Sequence, residues 1–154
     1  MTSYKNSLSA IAITLAYVLL SFSTINASET MPDDILGVWL IEEDGEPIEK
    51  IEISKCGDMY CGKIIWIKQT DTTGNPVVDK KNKREELRNR PLLGLDVLKN
   101  YKFDGKDSWQ DGEFYAHRKG KTVSPKLTLI DEQHLRIQVK ILFVKKSFVW
   151  KRVS

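Results

Sequence analysis

The chain has 154 residues, of which 41% are hydrophobic and 29% are charged, which is typical of a globular domain and excludes a disordered or collagen-like chain. Its 24 basic and 21 acidic side chains leave a formal net charge of +3, too small to indicate nucleic-acid binding. Two histidines and two cysteines are too few for a multi-ligand metal cluster. Neither a G-x-x-x-x-G-K-[ST] nor a G-x-G-x-x-G pattern occurs, so we expect no metal and no cofactor.

The first 27 residues are typical of a secretory signal peptide, which we expect to precede a single domain over residues 28–154. Lys5 comes before an uncharged apolar run, Leu8–Phe22, and the small residue Ala27 precedes the predicted cleavage point. The run has about 15 residues, fewer than the roughly 20 that span a bilayer. An uncleaved N-terminal anchor is the alternative. No other long apolar run follows, so the mature chain is predicted to be periplasmic or secreted, without a transmembrane span.

The two cysteines, Cys56 and Cys61, enclose the turn-like stretch 57–60 between two strand-like runs, Lys50–Lys55 and Lys63–Lys68. A hairpin would bring the two sulfur atoms opposite each other, and an exported chain meets an oxidising compartment. We therefore predict a structural disulfide. A redox-active pair is the alternative, but the C-x-x-x-x-C spacing differs from that of C-x-x-C sites, and no helix start follows to lower a thiol pKa.

Alternation of apolar and polar residues dominates the rest of the chain and predicts short strands. The clearest examples are residues 135–141, with Leu135, Ile137, Val139 and Ile141 on one face. Further strands are expected at residues 37–42, 126–129, 148–152 and, as one strand, 109–115. Residues 71–90 are long and polar, with two helical turns expected over Lys83–Asn89, before Pro91. About eight or nine strands with tight turns favour an all-β, up-and-down antiparallel barrel.

Several segments carry a resemblance to a known family. They are Gly37-Val38-Trp39, Cys56-Gly57-Asp58-Met59-Tyr60-Cys61-Gly62-Lys63-Ile64, Arg88-Asn89-Arg90-Pro91-Leu92-Leu93-Gly94-Leu95, Phe114-Tyr115, Gly120-Lys121-Thr122 and Trp150-Lys151-Arg152. Together they resemble the exported bacterial family known as domain of unknown function 2147, over roughly residues 35–153. The resemblance implies a lipocalin-like (calycin) barrel and no established enzymatic activity.

The lipocalin resemblance also implies a closed barrel end. Trp39 would plug that end, and Arg152 from the last strand would lie across its ring, because a planar guanidinium stacks on an aromatic face and still donates hydrogen bonds. Gly37 would let the chain enter close to this plug. The alternative is that Trp39 is an ordinary core residue and Arg152 a frayed terminal charge.

The interior of such a barrel is the first candidate binding site. Seven residues are candidates to line it: Trp66, Trp109, Phe114, Tyr115, Ile137, Val139 and Phe148. An eight-stranded barrel either is filled by side chains or holds one small ligand. The segment 71–90 is a candidate lid, and the sequence leaves both outcomes open.

The basic run Lys80, Lys81, Lys83 and Arg84 is a candidate surface for an envelope protein or an anionic surface, with Lys145-Lys146 and Lys151-Arg152 as a second basic group. A solvated loop is the alternative, because Glu85 and Glu86 follow directly. His117 and His134 fall in predicted turns with no nucleophile signature nearby, so no catalytic residue is predicted. The hypothesis is a non-enzymatic exported binding module for a small apolar or amphipathic ligand. An interaction domain with a filled barrel is the alternative, and an enzyme is a third possibility.

Overall fold

The computed structural model describes residues 29–68 and 74–153, so the predicted signal peptide lies outside the described residues. The described part of the chain forms ten strands and three 3-10 turns. The strands are β1 (Gly37–Glu43), β2 (Glu46–Cys56), β3 (Met59–Ile67), β4 (Asp96–Phe103), β5 (Ser108–Gln110), β6 (Glu113–Ala116), β7 (Lys121–Val123), β8 (Lys126–Asp131), β9 (His134–Ile141) and β10 (Val144–Arg152). The 3-10 turns are Pro32–Ile35, Glu85–Leu87 and His117–Lys119.

Eight of these strands form a closed barrel in which every described pairing is antiparallel. The sheet runs β3-β2-β1-β10-β9-β8-β5-β4, and β4 pairs with β3 to close the ring. Strands β6 and β7 form a side hairpin that pairs with β4 through β6. Chain neighbours are thus sheet neighbours around the ring, which confirms the predicted all-β, up-and-down antiparallel barrel.

The core consists of the inward-facing side chains of these strands. Ile51 and Ile53 of β2, and Leu135 and Ile137 of β9, are at most 2% exposed, as their alternation with polar residues predicts. Three aromatic rings, Trp39, Trp109 and Trp150, join them in one buried cluster. Two of them contact further rings, with Trp109 against Phe103 at 5.1 Å and Trp150 against Phe114 at 5.7 Å between ring centroids.

One end of the barrel is sealed by the start and end of the described chain. The 3-10 turn Pro32–Ile35 packs on Trp39, whose indole Nε1 donates a hydrogen bond to the Ile35 carbonyl at 2.8 Å. The Arg152 guanidinium lies 4.3 Å from the centre of the Trp39 ring. The Cys56–Cys61 disulfide forms in the β2–β3 turn at the same end, with Cα atoms 5.8 Å apart, as predicted.

Two details differ from the sequence prediction. The single strand expected at residues 109–115 is split into β5 and β6, because Asp111 has a φ of 62° and Gly112 lies under the Tyr101 ring. A Cβ at Gly112 would be 2.4 Å from that ring, so the chain between β5 and β6 turns at a position where only glycine fits. The two helical turns expected over Lys83–Asn89 reduce to one short 3-10 turn, Glu85–Leu87.

Strand β4 was not recognised in the sequence, because Val97 and Leu98 are buried side by side rather than in alternation. In the described ranges, no helix has both the length and the apolar character needed to cross a membrane.

Candidate functional site

The end of the barrel opposite Trp39 carries the candidate site. The antiparallel register places the β1–β2 turn at Asp44-Gly45, the inward-facing Glu49 of β2 and Ile67 of β3 at this end. Over them lies the segment that joins β3 to β4, of which residues 74–95 are described and which we call the long segment. Its hydrogen bonds to the barrel include Gly94 N–H to the Ile64 carbonyl at 2.8 Å.

A buried carboxylate fixes the long segment in place. Asp79 is fully buried and accepts hydrogen bonds from Arg90 (Nη2, 2.8 Å), Tyr115 (Oη, 2.8 Å) and Asn82 (Nδ2, 2.7 Å). The Arg90 guanidinium also lies 5.4 Å from the centre of the Tyr115 ring. Burial, together with the hydrogen bond to Asp79, raises the pKa of the Tyr115 hydroxyl. These four residues, the Asp79 cluster, connect the long segment to β6.

A close backbone contact brings the long segment and the 3-10 turn His117–Lys119 together. Gly120, which ends that turn with a φ of 60°, faces the Lys81 carbonyl. A Cβ at this position would lie 1.8 Å from the carbonyl oxygen, so only glycine allows the approach. The contact holds His117 at the edge of the barrel, above the inward face of β2.

Glu49 and His117 form a buried acid–imidazole pair. The Glu49 Oε2 and His117 Nε2 atoms are 2.8 Å apart, and the two residues are 4% and 9% exposed. Glu49 is buried because it shares the inward face of β2 with Ile51 and Ile53. A carboxylate in this position needs a hydrogen-bonding partner, and the imidazole supplies it.

A cleft of about 320 Å³ opens beside this pair, and we call it the mouth cleft. Its walls are apolar side chains, its floor includes the Glu49–His117 pair and its rim is mainly basic. The apolar walls are Ile48, Ile67, Val77, Val78 and Leu92, and the charged rim is Glu43, Lys68, Lys80, Lys81 and Arg118.

Two of the rim cations are neutralised and two are not. Arg118 pairs with Glu43 at 2.6 Å, and Lys68 pairs with Glu46 at 3.4 Å. Lys80 and Lys81 have no ion-pair partner among residues 29–68 and 74–153. The mouth cleft therefore combines an apolar wall with two positive charges at its edge that no described residue pairs.

A second cleft of about 580 Å³ lies on the other side of the Asp79 cluster, and we call it the outer cleft. Charged and polar side chains dominate its lining, which includes Lys83, Arg84, Lys99, Glu113 and Lys121. It offers little apolar wall against which a small molecule can be buried.

The seven residues predicted to line a ligand site divide between the core and the surface. Trp109 and Ile137 belong to the packed core, and Phe114 and Tyr115 pack against it. Trp66 is 37% exposed on the outside of β3, with the Lys50 ammonium 5.7 Å from its ring centre. Tyr115 belongs to the Asp79 cluster and lines the outer cleft.

The remaining three lie on β6, β9 and β10. Phe114 packs on Trp150, Val139 is half-buried and Phe148 is 56% exposed. None of the seven lines the mouth cleft. Of the four basic residues predicted as a surface site, Lys80 and Lys81 line the mouth cleft, and Lys83 and Arg84 line the outer one.

Sequence reasoning missed Glu49 and treated His117 as a solvated turn residue. One signal was available for Glu49, since it stands two residues before Ile51 and four before Ile53 and thus shares their parity. No comparable signal pointed to His117, because its burial depends on the distant long segment. His134 lies at the barrel edge, where its Nδ1 is 2.8 Å from Asp131.

The chemistry available to the site is limited by its donors. Among the described residues that line the mouth cleft there is no serine, threonine, cysteine or tyrosine that could act as a nucleophile beside the Glu49–His117 pair. Within the described residues, no three His, Cys, Asp or Glu side chains converge in a way that would hold a metal ion. What the arrangement offers is apolar burial, a hydrogen-bonding imidazole and cationic edges.

Comparisons with known proteins give the family of the chain from one match and its fold from another. The family model described as "Uncharacterized protein conserved in bacteria (DUF2147)" matches residues 37–152. A solved structure with the same fold is that of HP1028 from the human pathogen Helicobacter pylori, described as belonging to the lipocalin family. The two are 22% identical and superpose with a TM-score of 0.65, covering 82% of this chain and 85% of the other. No curated protein matches the chain at a significant level.

Proposed function

We propose, from the premise that this chain belongs to the DUF2147 family of uncharacterized bacterial proteins and has a lipocalin-like barrel, that it is an exported, non-enzymatic module that binds a small amphipathic anion. The ligand lies in the mouth cleft, with its apolar body against the walls and its anionic group at the rim. The observation that carries the proposal is the apolar cleft edged by Lys80 and Lys81, which lack ion-pair partners in the described part of the chain.

The apolar walls supply the main driving force. Side chains such as Ile67, Val77 and Leu92 line a space at the small end of the range of ligand-binding pockets. Each 100 Å² of apolar ligand surface that they remove from water contributes about 2.5 kcal/mol before the costs of association. A short acyl chain or a small aromatic body fits this volume better than a large polycyclic ligand.

The rim and floor select the polar group of the ligand. Lys80 and Lys81 present positive charge at the edge, and charge-assisted hydrogen bonds to a carboxylate or sulfonate are stronger than neutral ones. Glu49 faces the same space, but its Oε2 atom is already hydrogen-bonded to His117 Nε2. An anion is therefore favoured over a cation or a neutral alcohol of the same size.

Export is part of the same proposal. The sequence of residues 1–27 supports it, and so does the Cys56–Cys61 disulfide, because such bonds persist in oxidising compartments. The site itself does not depend on export, since it is built entirely from residues 43–118.

One observation favours a second candidate, an enzyme that uses His117 as an acid or base. The Glu49–His117 pair at 2.8 Å is the arrangement in which a carboxylate orients an imidazole for proton transfer. The apolar walls of the mouth cleft and the lysines at its rim support binding as the first candidate. Recovery of a bound ligand, chemically unchanged after prolonged incubation, separates the two.

The test is a fluorescence titration with the amphipathic anion 1-anilinonaphthalene-8-sulfonate, followed by displacement with decanoate or decanol. The protein is purified from the periplasm or medium, and mass spectrometry first checks for a mature N-terminus at Ser28. We expect saturable binding that decanoate displaces better than decanol. The Lys80→Gln/Lys81→Gln variant should bind about tenfold more weakly.

The matched control is Lys99→Gln/Lys102→Gln, which removes the same charge from exposed positions of β4 outside the mouth cleft and should leave this binding unchanged. A Val77→Asp variant provides a second check, because it places a like charge in the wall that the ligand covers. Titration without saturation, or equal weakening by the two lysine pairs, would disprove binding in the mouth cleft.

A further inference from the structure

The hairpin formed by the end of β9 and the start of β10 extends beyond the barrel. Strand β10 pairs with β1 only at Arg152 and Lys151, opposite Trp39 and Leu40. From there toward its start, β10 pairs with β9 alone, down to Val144 opposite Ile141. We call residues 138–149 the ribbon; its tip lies at the same end of the molecule as the mouth cleft.

The ribbon exposes an unusual amount of apolar surface. Among the described residues, six of its large apolar side chains are between 49% and 100% exposed: Ile141 (51%), Leu142 (82%), Phe143 (100%), Val144 (58%), Phe148 (56%) and Val149 (49%). A two-stranded ribbon with no third strand is marginally stable in water. Apolar patches of this kind on a folded protein mark interaction sites.

The two faces of the ribbon differ in character. Residues directly opposite each other share a face, so Ile141, Val144 and Phe148 continue the face that carries Ile137 and Trp150 in the core. This face also carries Lys146 opposite Val139, while the other face carries Lys140 opposite Lys145 and, nearer the barrel, Val149 opposite Arg136. One face of the ribbon is therefore mainly apolar, and lysines lie on both faces close to an apolar tip.

The tip uses residues that a tight turn disfavours. Leu142 has a φ of 53°. This left-handed conformation is favourable for glycine and asparagine but unfavourable for leucine. Phe143 beside it is fully exposed. Neither side chain is stabilised by burial within the described protein. A contact with another molecule is therefore the simplest explanation for leucine and phenylalanine at this turn.

The charge of this region points to an anionic partner. Residues 135–153 contain six cations and no aspartate or glutamate: Arg136, Lys140, Lys145, Lys146, Lys151 and Arg152. Lys140, Lys145 and Lys146 flank the tip and have no ion-pair partner among the described residues. Their long stems allow the ammonium groups to reach phosphates while neighbouring apolar side chains lie deeper.

We propose that the ribbon docks on an anionic lipid bilayer, with Leu142 and Phe143 inserted at the interface and Lys140, Lys145 and Lys146 on the lipid phosphates. A second copy of the chain is less favoured, because two ribbons would bring like charges together, and lysines on exposed strand edges oppose pairing. The docking would hold the mouth cleft close to the membrane, but it requires no ligand in that cleft.

The experiment measures binding of the protein, purified from the periplasm or medium as for the titration, to vesicles of phosphatidylglycerol and phosphatidylcholine, and to vesicles of phosphatidylcholine alone. Every variant is prepared in this same mature form. We expect binding to the anionic vesicles that weakens with salt. A Phe143→Trp variant should show a blue shift of its added emission on those vesicles only.

Two variants test the ribbon separately. Leu142→Asn/Phe143→Gly keeps a favourable two-residue turn, so the hairpin folds, but it removes the inserted side chains. Lys145→Gln/Lys146→Gln removes two of the lysines. Each should weaken binding to anionic vesicles about tenfold or more, whereas Lys83→Gln/Arg84→Gln, with the same loss of charge elsewhere, should not.

Unchanged binding of both ribbon variants, or no blue shift from Trp at position 143, would overturn the proposal. So would a concentration-dependent dimer in sedimentation that both ribbon variants abolish, because that result would assign the ribbon to a second copy of the chain. Failure of the mouth-cleft titration leaves these measurements untouched, since Lys80 and Lys81 take no part in them.

Discussion

Single side chains at the sealed end are placed so that their protonation matters to the fold. The Tyr60 hydroxyl, on a side chain that is almost fully buried, donates a hydrogen bond to Asp33 Oδ1 at 2.7 Å. Burial, and then this hydrogen bond, raise the pKa of Tyr60 from 10.0 to about 12. Asp33 is itself held by Lys55 at 2.8 Å, and its pKa lies below the usual value because of the hydrogen bonds from Lys55 and Tyr60.

Alkaline pH should therefore destabilise the protein over a defined interval. Below pH 10 Tyr60 is protonated in both states, and its contribution to stability is fully present. Between pH 10 and about 12 the unfolded chain loses this proton while the folded chain keeps it, so the free energy of unfolding falls as pH rises. Urea unfolding at intervals from pH 8 to 11.5 measures this fall.

The Tyr60→Phe variant identifies the residue responsible. Burial also raises the pKa of Tyr101 and Tyr115, so part of the alkaline loss will remain in the variant. Removal of one titrating group should reduce the slope of the free energy of unfolding against pH by at most about 1.4 kcal/mol per pH unit. An identical slope in the two proteins would show that the Tyr60 proton is not linked to folding.

The paired residues Glu49 and His117 differ in how well their burial can be predicted from the sequence. Parity along β2 is a local property, so burial of Glu49 was within reach of the sequence. Burial of His117 depends on contact between Gly120 and Lys81, residues 39 positions apart that meet only because the long segment folds back. Local sequence patterns do not indicate contacts between distant residues, so the mouth cleft could not be predicted from them.

At the scale of elements, the long segment is attached by polar contacts more than by apolar burial. The isolated bridge between Val78 and Pro91 and the bond from Leu92 N–H to the Val77 carbonyl close it into a compact unit. The Asp79 cluster then joins this unit to β6. Period-two alternation predicted most of the barrel strands, but a segment held by hydrogen bonds has no such period and was visible only as a polar interruption.

Loss of the Asp79 charge should release this segment. Asp79→Asn leaves Arg90 without its carboxylate partner, and we expect the free energy of unfolding to fall by about 3 kcal/mol, as when one member of a buried ion pair is removed. Arg90 is about one-third exposed, so water can solvate its unpaired charge in the variant and the loss stays smaller than for a fully buried pair. Urea unfolding measures the loss, and trypsin cleavage after Arg84 or Arg88 reports local opening.

The control for Asp79→Asn is Glu85→Gln, which removes a carboxylate from an exposed pair with Arg88 at 3.0 Å. Exposed pairs contribute little, so this variant should lose no more than about 0.5 kcal/mol and resist trypsin as the parent does. Comparable losses from the two variants would show that the Asp79 cluster does not hold the long segment.

At the scale of the whole molecule, the barrel is closed by two distant parts of the described chain. Arg152 stacks on Trp39 and donates hydrogen bonds to the carbonyl oxygens of Asp34, Leu36 and Glu132. Burial lowers the pKa of its guanidinium, but the group stays charged at any neutral pH. This one side chain at the end of β10 therefore contacts both the residues that precede β1 and the β8–β9 turn.

Arg152→Lys keeps the charge and removes the planar fork, so it tests these contacts directly. A lysine ammonium can reach fewer of the three carbonyls and stacks less well on Trp39, and we expect a loss of about 1–2 kcal/mol in the free energy of unfolding. The neighbouring Lys151→Gln, which breaks a surface pair with Glu42, should cost about 0.5 kcal/mol or less. Urea unfolding compares the two, and near-ultraviolet circular dichroism reports the Trp39 environment. If the two substitutions lower the free energy of unfolding equally little, the contacts of Arg152 do not stabilise the barrel, and the apolar core alone holds its ends together.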